Sequence, residues 1–375
     1  MDFSLTDEAA ALAQLTADIA GKLVTADRLG ELESAPHVFD DALWAQLAGS
    51  GLLGIEIAEA HGGSELGIVE NCAVATELGK KLARVPFGAT AMVAAPAIAA
   101  FGTAAQEAQW LPDIGSGAAV FAVALDEDLN NDPASPTTIA TPVNGGWQLD
   151  GAKVDVGYAD VADAILINAH GPDGPRVFIV RPTDPGVTIA PTRVTGLTSS
   201  ALIELHNVAL DDSRILGSGD TSGVADANRF ITDRQTLALC ADQTGVLEQA
   251  LAFTADYARE REQFGKKIGS FQAVAQRLAD GYIDVRALSL TTQQAAWVLG
   301  ETGRADKELA TAKFWAADAG HRVAHTTVHV HGGVGIDTDH PVHRYFLAAK
   351  QNEFSLGSGT AHLRRLGAQL AAEPA

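Results

Sequence analysis

Cysteine is scarce: only Cys72 and Cys240 occur in 375 residues. Both lie in apolar, helix-patterned surroundings without CxxC or metal-ligand spacing. That excludes a disulfide framework and a cysteine metal centre, and it fits a reducing, cytoplasmic setting. Basic charge is scarce as well. Twenty-six Lys and Arg face 47 Asp and Glu, a formal net charge of -21. Nucleic-acid binding needs a basic face, so no nucleic-acid partner is expected. An anionic membrane surface is disfavoured for the same reason. Long apolar runs are missing too. The Ala-rich stretch Ala89–Ala100 is shorter than the roughly 20 residues that span a bilayer. The N-terminus, MDFSLTDEAAAL, lacks a basic segment followed by an apolar core, so no signal peptide is expected.

What is present is an Ala-rich globular composition, 47% hydrophobic and 19% charged, long enough for two or three folding units. The period of the apolar residues divides the chain into three zones. Residues 1–118 read as helical. Thr6 is placed to cap a helix whose Leu12, Leu15, Ile19 and Leu23 share one face. A second helix follows from Phe39 to Leu47 with an acidic start. After the Gly-rich turn at His61-Gly62-Gly63, two more helices are expected at 66–84 and 88–101.

Residues 119–217 switch to short apolar runs bounded by Pro and Gly. The expected strands are Val120–Val123, Thr138–Thr141, Trp147–Leu149, Ala164–Asn168, Val177–Val180 and Ala201–Leu205, with a hairpin at Asn144-Gly145-Gly146. A small barrel or sandwich is the expected architecture. Residues 218–375 return to helices, expected at 226–258, 271–299, 305–332 and 341–370, after a flexible linker at Gly217–Gly223.

One stretch interrupts the third zone: Tyr257–Gln272, YAREREQFGKKIGSFQ. Arg259, Arg261, Lys266 and Lys267 concentrate positive charge in an acidic chain. Gly265 and Gly269 permit close backbone approach, and Phe264 and Phe271 offer stacking surface. Gln263 and Gln272 add amide donors and acceptors. This mix suits a diphosphate-bearing ligand, although a solvated helix end with a Gly-assisted bend has the same composition. Near the C-terminus, His329 to Gly335 places Gly332 and Gly333 after a histidine-rich helix, which also suits a plain helix C-cap. The spacing of His321, His325 and His329 puts three imidazoles on one helix face without an evident carboxylate, a weak metal pattern.

Three segments, LWAQLAGSGLLGIEIAEAHGG, YAREREQFGKKIGSFQAVAQRLAD and VHVHGGVGIDTDHPVHRYF, together with the helix–strand–helix order, resemble the acyl-CoA dehydrogenase family over nearly the whole chain. The resemblance implies an α+β fold: an N-terminal helical domain (1–118), a middle β-barrel-like domain (119–217) and a C-terminal four-helix bundle (218–375) for oligomerisation. It implies FAD as cofactor, an acyl-CoA thioester as substrate and an electron acceptor such as an electron-transfer flavoprotein. It assigns Arg261 to the FAD diphosphate, places Gln263, Phe264 and Gln272 beside the nucleotide, and brings His329, where the family usually has Gln, with Gly332 and Gly333, to the same cofactor.

The resemblance also exposes departures. The family's base is a Glu before Gly-Thr. Aligning on Gly359-Thr360 puts Ser358 there, and aligning without a gap from Lys350 puts Leu356 there. Glu353 is nearby at a non-catalytic position. The alternative base position, on the first long helix, falls at about Gln235, with Asp233 two residues away. No catalytic residue is therefore assigned. The flavin-contacting loop is replaced by Ala124–Pro133, with Asp126, Glu127, Asp128 and Asp132, and the ring-side strand carries Asp155 and Gly157. Loss at the ring and base beside a retained diphosphate segment resembles the non-catalytic partner subunits of the α2β2 steroid side-chain acyl-CoA dehydrogenases of actinobacteria. A self-sufficient homotetramer with Asp233 or Glu353 as base, or a relic without a flavin role, are the rival expectations.

Overall fold

A computed structural model describes residues 3–130, 132–217 and 221–372. The first helices are α1 (Asp7–Leu23), α2 (Ala26–Ser34), α3 (Asp41–Gly49), α4 (Ile68–Lys80), α5 (Ala95–Phe101) and α6 (Ala104–Gly115). Thr6 caps α1, its Oγ1 accepting from Ala9 N at 3.0 Å. Two of these helices were not expected. In α2, only Leu29 and Leu32 are buried over nine residues, too short a span to display a period. In α6, the Thr103–Gln106 capping box is a legible signal that the apolar count conceals.

The single helix expected over 88–101 is divided. Gly88–Ala94 winds as a π-helix ahead of α5. Pro96 lies within the first turn of α5 and has no N–H to offer the Met92 carbonyl one turn back. The Arg234 guanidinium donates to that carbonyl instead, at 3.0 Å.

The strands are β1 (Phe121–Ala124), β2 (Ile139–Val143), β3 (Gly146–Val156), β4 (Ala164–Gly171), β5 (Gly174–Val180), β6 (Val187–Pro191), β7 (Ala201–Leu210) and β8 (Ile215–Leu216). They form one sheet in the order β6-β7-β3-β2-β4-β5-β8, with β1 parallel to β4. The Asn144-Gly145 turn joins β2 to β3 as expected, with Gly145 at φ 85°. Strands β6 and β8 escaped the sequence reading; β6 has no fully buried residue and β8 is only two residues long. Alternation explains why β1, β4 and β5 read as continuous apolar runs. Phe121, Val123, Leu166 and Ile179 face a core shared with Ile98 and Trp110. Ala122, Ile165, Ile167 and Phe178 face the opposite core, with Leu149 and Leu205.

The last part contains α7 (Thr221–Glu260), a hairpin of β9 (Glu262–Gln263) and β10 (Lys266–Lys267), then α8 (Gln272–Thr302), α9 (Asp306–His331), α10 (Val342–Phe354) and α11 (Gly359–Ala372). The linker expected at Gly217–Gly223 lies partly outside the described residues. The helix expected over 341–370 is two helices, broken at Leu356 (φ 57°) and Gly357 (φ 96°). The buried Lys313 ammonium on α9 caps the stop. It donates to the carbonyls of Asn352, Glu353 and Gly357 at 3.1, 3.3 and 3.0 Å, satisfying groups that another turn of α10 would have used.

Helix α4 docks on α7 through glycine. A Cβ on Gly245 would lie 1.9 Å from the Thr76 carbonyl oxygen, so the two backbones meet where no side chain fits. Among the described residues, no helix is long and apolar enough to cross a membrane.

Candidate functional site

Sequence reasoning singled out two motifs about sixty residues apart, and the fold brings them to one end of the bundle. Tyr257 stacks on His331, with ring centroids 4.4 Å apart. Ile268 packs with Val330 in a small core of its own. Between β9 and β10, Phe264 (φ 52°) and Gly265 (φ 74°) are both left-handed, the geometry of a two-residue type I′ turn. Phe264 is 92% exposed and meets Phe271 edge-on at 6.3 Å. Lys266 Nζ lies 4.9 Å from the centre of the Phe271 ring, and Lys267 is paired with Glu262 at 2.8 Å. Arg261, Gln263 and Gln272 are exposed, as are His329, Gly332 and Gly333. Among the described residues, none forms a hydrogen bond or ion pair with the Arg261 side chain. This end therefore presents an unpaired guanidinium, an exposed ring and a Gly-Gly backbone, a surface that can pair with an anion and stack on a planar group.

Two cavities lie elsewhere. The inner one, about 250 Å³, is bounded by α4, the segment before the π-helix, the end of β3, α7 and α10; Leu78, Phe87, Leu239 and Ala348 give it apolar walls, and Thr198, Ser199, Gln351 and Asn352 polar ones. The outer one, about 600 Å³, opens between the loop after β1 and the C-terminal end of α10, at Leu129, Thr195, Phe354 and Ser358. Asp126, Asp155, Gln351 and Ser355 border both. They form a hydrogen-bonded partition. Asp155 Oδ2 accepts from Gln351 Nε2 at 2.8 Å and from Ser355 Oγ at 3.4 Å, and its Oδ1 accepts from Ser200 Oγ at 3.0 Å. Asp126 Oδ2 accepts from Leu356 N at 3.2 Å. Burial pushes the Asp126 carboxyl up to about 6 and also raises Asp155. None of the seven residues assigned to a cofactor from the sequence lines either cavity.

The acidic segment after β1 does not act as one surface. Glu127 turns inward and pairs with the fully buried Lys153 at 2.7 Å. Its carboxylate also accepts from the Thr137 and Thr138 hydroxyls, each at 2.7 Å. Burial opposes its ionisation, but Lys153 and the threonines outweigh it and hold the carboxyl well below its usual range.

The residues considered as a base separate cleanly. Glu353 lines neither cavity. It is bound to Lys350 at 2.5 Å and lies 3.3 Å from His321 Nδ1. The carboxylate missing from the histidine pattern in the sequence is thus present, yet no group of three metal-binding side chains forms among the described residues. Asp233 also lies off both cavities. Burial first, and then the charge of Asp306, push its carboxyl up to about 7. Gln235 lines the inner cavity, two residues along the helix on another face. Leu356 lines the inner cavity and Ser358 the outer.

Arg84, Tyr158, Asp242 and Lys313 were missed from the sequence. Each stands among other polar residues in the sequence, such as Lys80 and Lys81 before Arg84 and Gln243 and Thr244 after Asp242, so no local signal set them apart. Asp242 accepts from Asn352 Nδ2 at 2.8 Å, and burial raises its pKa. Burial likewise pushes the Tyr158 phenol up to about 12.

Helices before and after a central sheet, with a long-helix bundle last, are the architecture of acyl-CoA dehydrogenases. The chain belongs to that family. The model for "Acyl-CoA dehydrogenase, N-terminal domain" matches residues 6–118, and the one for "Acyl-CoA dehydrogenase, C-terminal domain" matches 222–371. The chain is 45% identical to acyl-CoA dehydrogenase FadE27 of Mycobacterium tuberculosis over 383 residues, covering 100% of both. Among solved structures it is similar to the ChsE4–ChsE5 complex from Mycobacterium tuberculosis, at 46% identity and a TM-score of 0.94 over 100% of each chain. It is also similar to a Tcur3481–Tcur3483 steroid ACAD variant, at 39% identity and a TM-score of 0.91 over 97% of this chain and 98% of that one. Members of the family are FAD-dependent flavoproteins, and the chain is accordingly an oxidoreductase of that class.

Proposed function

We propose that this chain is the FAD-clamping, non-catalytic subunit of a heteromeric acyl-CoA dehydrogenase, working beside a partner subunit that supplies the base. The assembly would be α2β2. It would dehydrogenate an acyl-CoA thioester between its α and β carbons, with a steroid side-chain thioester as the favoured substrate class. An electron-transfer flavoprotein or a similar carrier would then reoxidise the flavin.

The observation that carries this reading is Phe264. A phenyl side chain held left-handed and nine-tenths exposed costs free energy twice in the lone chain, through backbone strain and unburied apolar surface. A planar group docked there would bury the ring, removing the second cost and offsetting the first. The nucleotide end of FAD fits this surface: Arg261 would pair with the diphosphate, Phe264 and Gln272 would flank the adenosine, and Gln263, His329 and the Gly332-Gly333 backbone would lie beside it. None of these residues borders a cavity of its own chain, which supports a ligand shared with a second chain.

The flavin-ring end fits poorly. In the segments that align with the family's flavin-ring contacts, two buried carboxylates, Asp126 and Asp155, form the partition, an unfavourable neighbour for an anionic ring. FAD supplies the hydride acceptor for this chemistry when bound. This chain's part is to hold and orient the nucleotide. The rival bases support the reading from the other side, since Asp233 and Glu353 lie off both cavities. The heteromeric relatives, the ChsE4–ChsE5 complex and the Tcur3481–Tcur3483 steroid ACAD, add the assembly and the steroid class.

Co-expression with a second dehydrogenase-like chain, followed by native mass spectrometry and flavin quantitation, tests it. One flavin per pair of chains is expected, as a two-fold assembly with one working site per pair gives. Full flavin occupancy and turnover by a lone homotetramer would sink it.

A further inference from the structure

Beneath the candidate cofactor surface lies a buried histidine that touches no ligand in the reading above. His331, the last residue of α9, is 4% exposed. Its Nδ1 stands 2.8 Å from the Thr327 carbonyl oxygen. A carbonyl only accepts, so in the neutral ring Nδ1 carries the proton and donates it. The Nε2 lone pair is then buried without a hydrogen-bond partner. A proton added there would bury an N–H and a charge with nothing to receive either. Burial accordingly lowers the His331 pKa from the ordinary 6.5; the Thr327 carbonyl opposes that shift, and the His340 imidazole adds to it.

Few groups face this ring. Tyr257 comes from α7, its ring stacked at 4.4 Å, and His340 comes from the connection between α9 and α10, its ring centre 5.4 Å away. His343 of α10 turns instead to the His340 carbonyl, at 2.7 Å. The hairpin side is apolar, with Ile268 packed on Val330. Gly335 closes over the histidine, where a Cβ would lie 3.2 Å from the His331 Cβ. Among the described residues, no carboxylate acts on the imidazole to favour its charge.

Arg261 depends on the same stack. Its backbone N donates to the Tyr257 carbonyl at 2.8 Å, and Ile268 N donates to the Arg261 carbonyl at 2.9 Å, closing the hairpin of β9 and β10. The ring that fixes Tyr257 therefore fixes where the guanidinium leaves α7. On its other side, His331 leads directly into Gly332, at φ 62°. One imidazole thus joins the two motifs of the surface.

We propose that His331 is a positioning residue for the flavin clamp: neutral and stacked, it holds Tyr257 and the Arg261 hairpin in place beside the Gly332-Gly333 turn, and its protonation releases the hairpin. The flavin part of this inference rests on the function proposed above; the coupling between histidine and hairpin does not.

Hydrogen exchange at about pH 7.5 and about pH 5.5, corrected for intrinsic rates, tests the coupling on the full chain freed of flavin. The lower point lies about one unit below a free imidazole, so a ring that must stay neutral costs the parent hairpin, residues 262–271, about tenfold in protection. His331→Phe keeps a ring on Tyr257 and takes no proton; its hairpin should be equally protected at both pH values. Tyr257→Leu removes the other ring of the stack; its hairpin should be poorly protected at both, and it serves if His331→Phe does not fold. Flavin retained through desalting of the isolated assembly should follow, with the parent losing it at the lower pH and His331→Phe keeping it. Equal exchange in the parent at both pH values, or an equal pH step in the parent and the variants, overturns the coupling, even where Arg261→Ala still releases flavin. A hairpin that loosens with acid in the parent alone, beside flavin retention indifferent to Arg261→Ala, sustains the coupling and overturns the clamp.

Discussion

Gln351 on α10 donates to Asp155 at the end of β3 across 2.8 Å, tying the last part of the chain to the sheet. Asp155 sits at φ 51°, a conformation open to Asn and Asp and costly for branched side chains. Asp155→Asn keeps the backbone preference and an acceptor, and its urea midpoint should match the parent's. Asp155→Val should lower stability by about 2–4 kcal/mol, from left-handed strain and lost hydrogen bonds. Equal midpoints for the two variants would mean that the partition contributes nothing to the fold.

Asp126 gives a pH test. Its carboxyl is raised from 3.8 to about 6, chiefly by burial, which outweighs the Leu356 N–H. The fold therefore binds the proton more tightly than the unfolded chain does. The protein should lose stability as pH rises from about 4 to about 6, and the cost should persist above that window, at up to about 3 kcal/mol. Asp126→Asn retains an acceptor for Leu356 N without the charge. Its melting temperature should exceed the parent's above pH 6 and match or fall below it near pH 4. A constant difference across that range would refute the buried, proton-linked carboxyl.

Most of this fold was legible because apolar period and turn chemistry agree. The long bundle helices, the Asn144-Gly145 hairpin and the Thr6 cap each declare themselves within a few residues. What stayed hidden depends on contacts distant in sequence. Gly357, Ser358 and Gly359 mark the helix break after Leu356 locally; what they do not show is Lys313, more than forty residues earlier, which takes the carbonyls at the end of α10. Similarly, Pro96 hints at irregularity, but the π-helix before it is stabilised by Arg234 on α7. The exposed cofactor motif could be read from residue types, since surface chemistry is carried by the motif itself. The inner cavity could not, because its walls come from α4, β3, α7 and α10 together.

Glu127 and Lys153 form a buried pair that anchors the segment between β1 and β2. Lys153 Nζ also donates to Asn168 Oδ1 at 2.7 Å, so both charges are satisfied in place. Lys153→Met leaves the Glu127 carboxylate buried and unpaired, and should cost about 3–5 kcal/mol. Lys153→Met combined with Glu127→Leu should recover much of that loss, since two apolar groups carry no stranded charge. Chemical denaturation of both variants decides it, and a double variant no better than the single would show that the threonine contacts, not the charge pair, hold the segment.

Phe264 and Arg261 test the cofactor surface with opposite signs. Phe264→Gly removes left-handed strain and an exposed ring, so the subunit should unfold no more easily than the parent, and with a gain of up to about 1 kcal/mol. The same change deletes the stacking platform, so flavin should leave the assembled enzyme faster during desalting. Arg261→Ala should leave stability unchanged, because no described residue holds the guanidinium, while weakening flavin retention by about tenfold, the loss of a charge-assisted contact to phosphate. Arg261→Lys should restore part of the retention, since the ammonium keeps the charge and loses the planar fork. The readout is flavin fluorescence released per protein, alongside thermal melts of the flavin-free chain. If both substitutions destabilise the chain and leave flavin retention unchanged, the hairpin is a structural turn, and the exposure of Phe264 has some other cause.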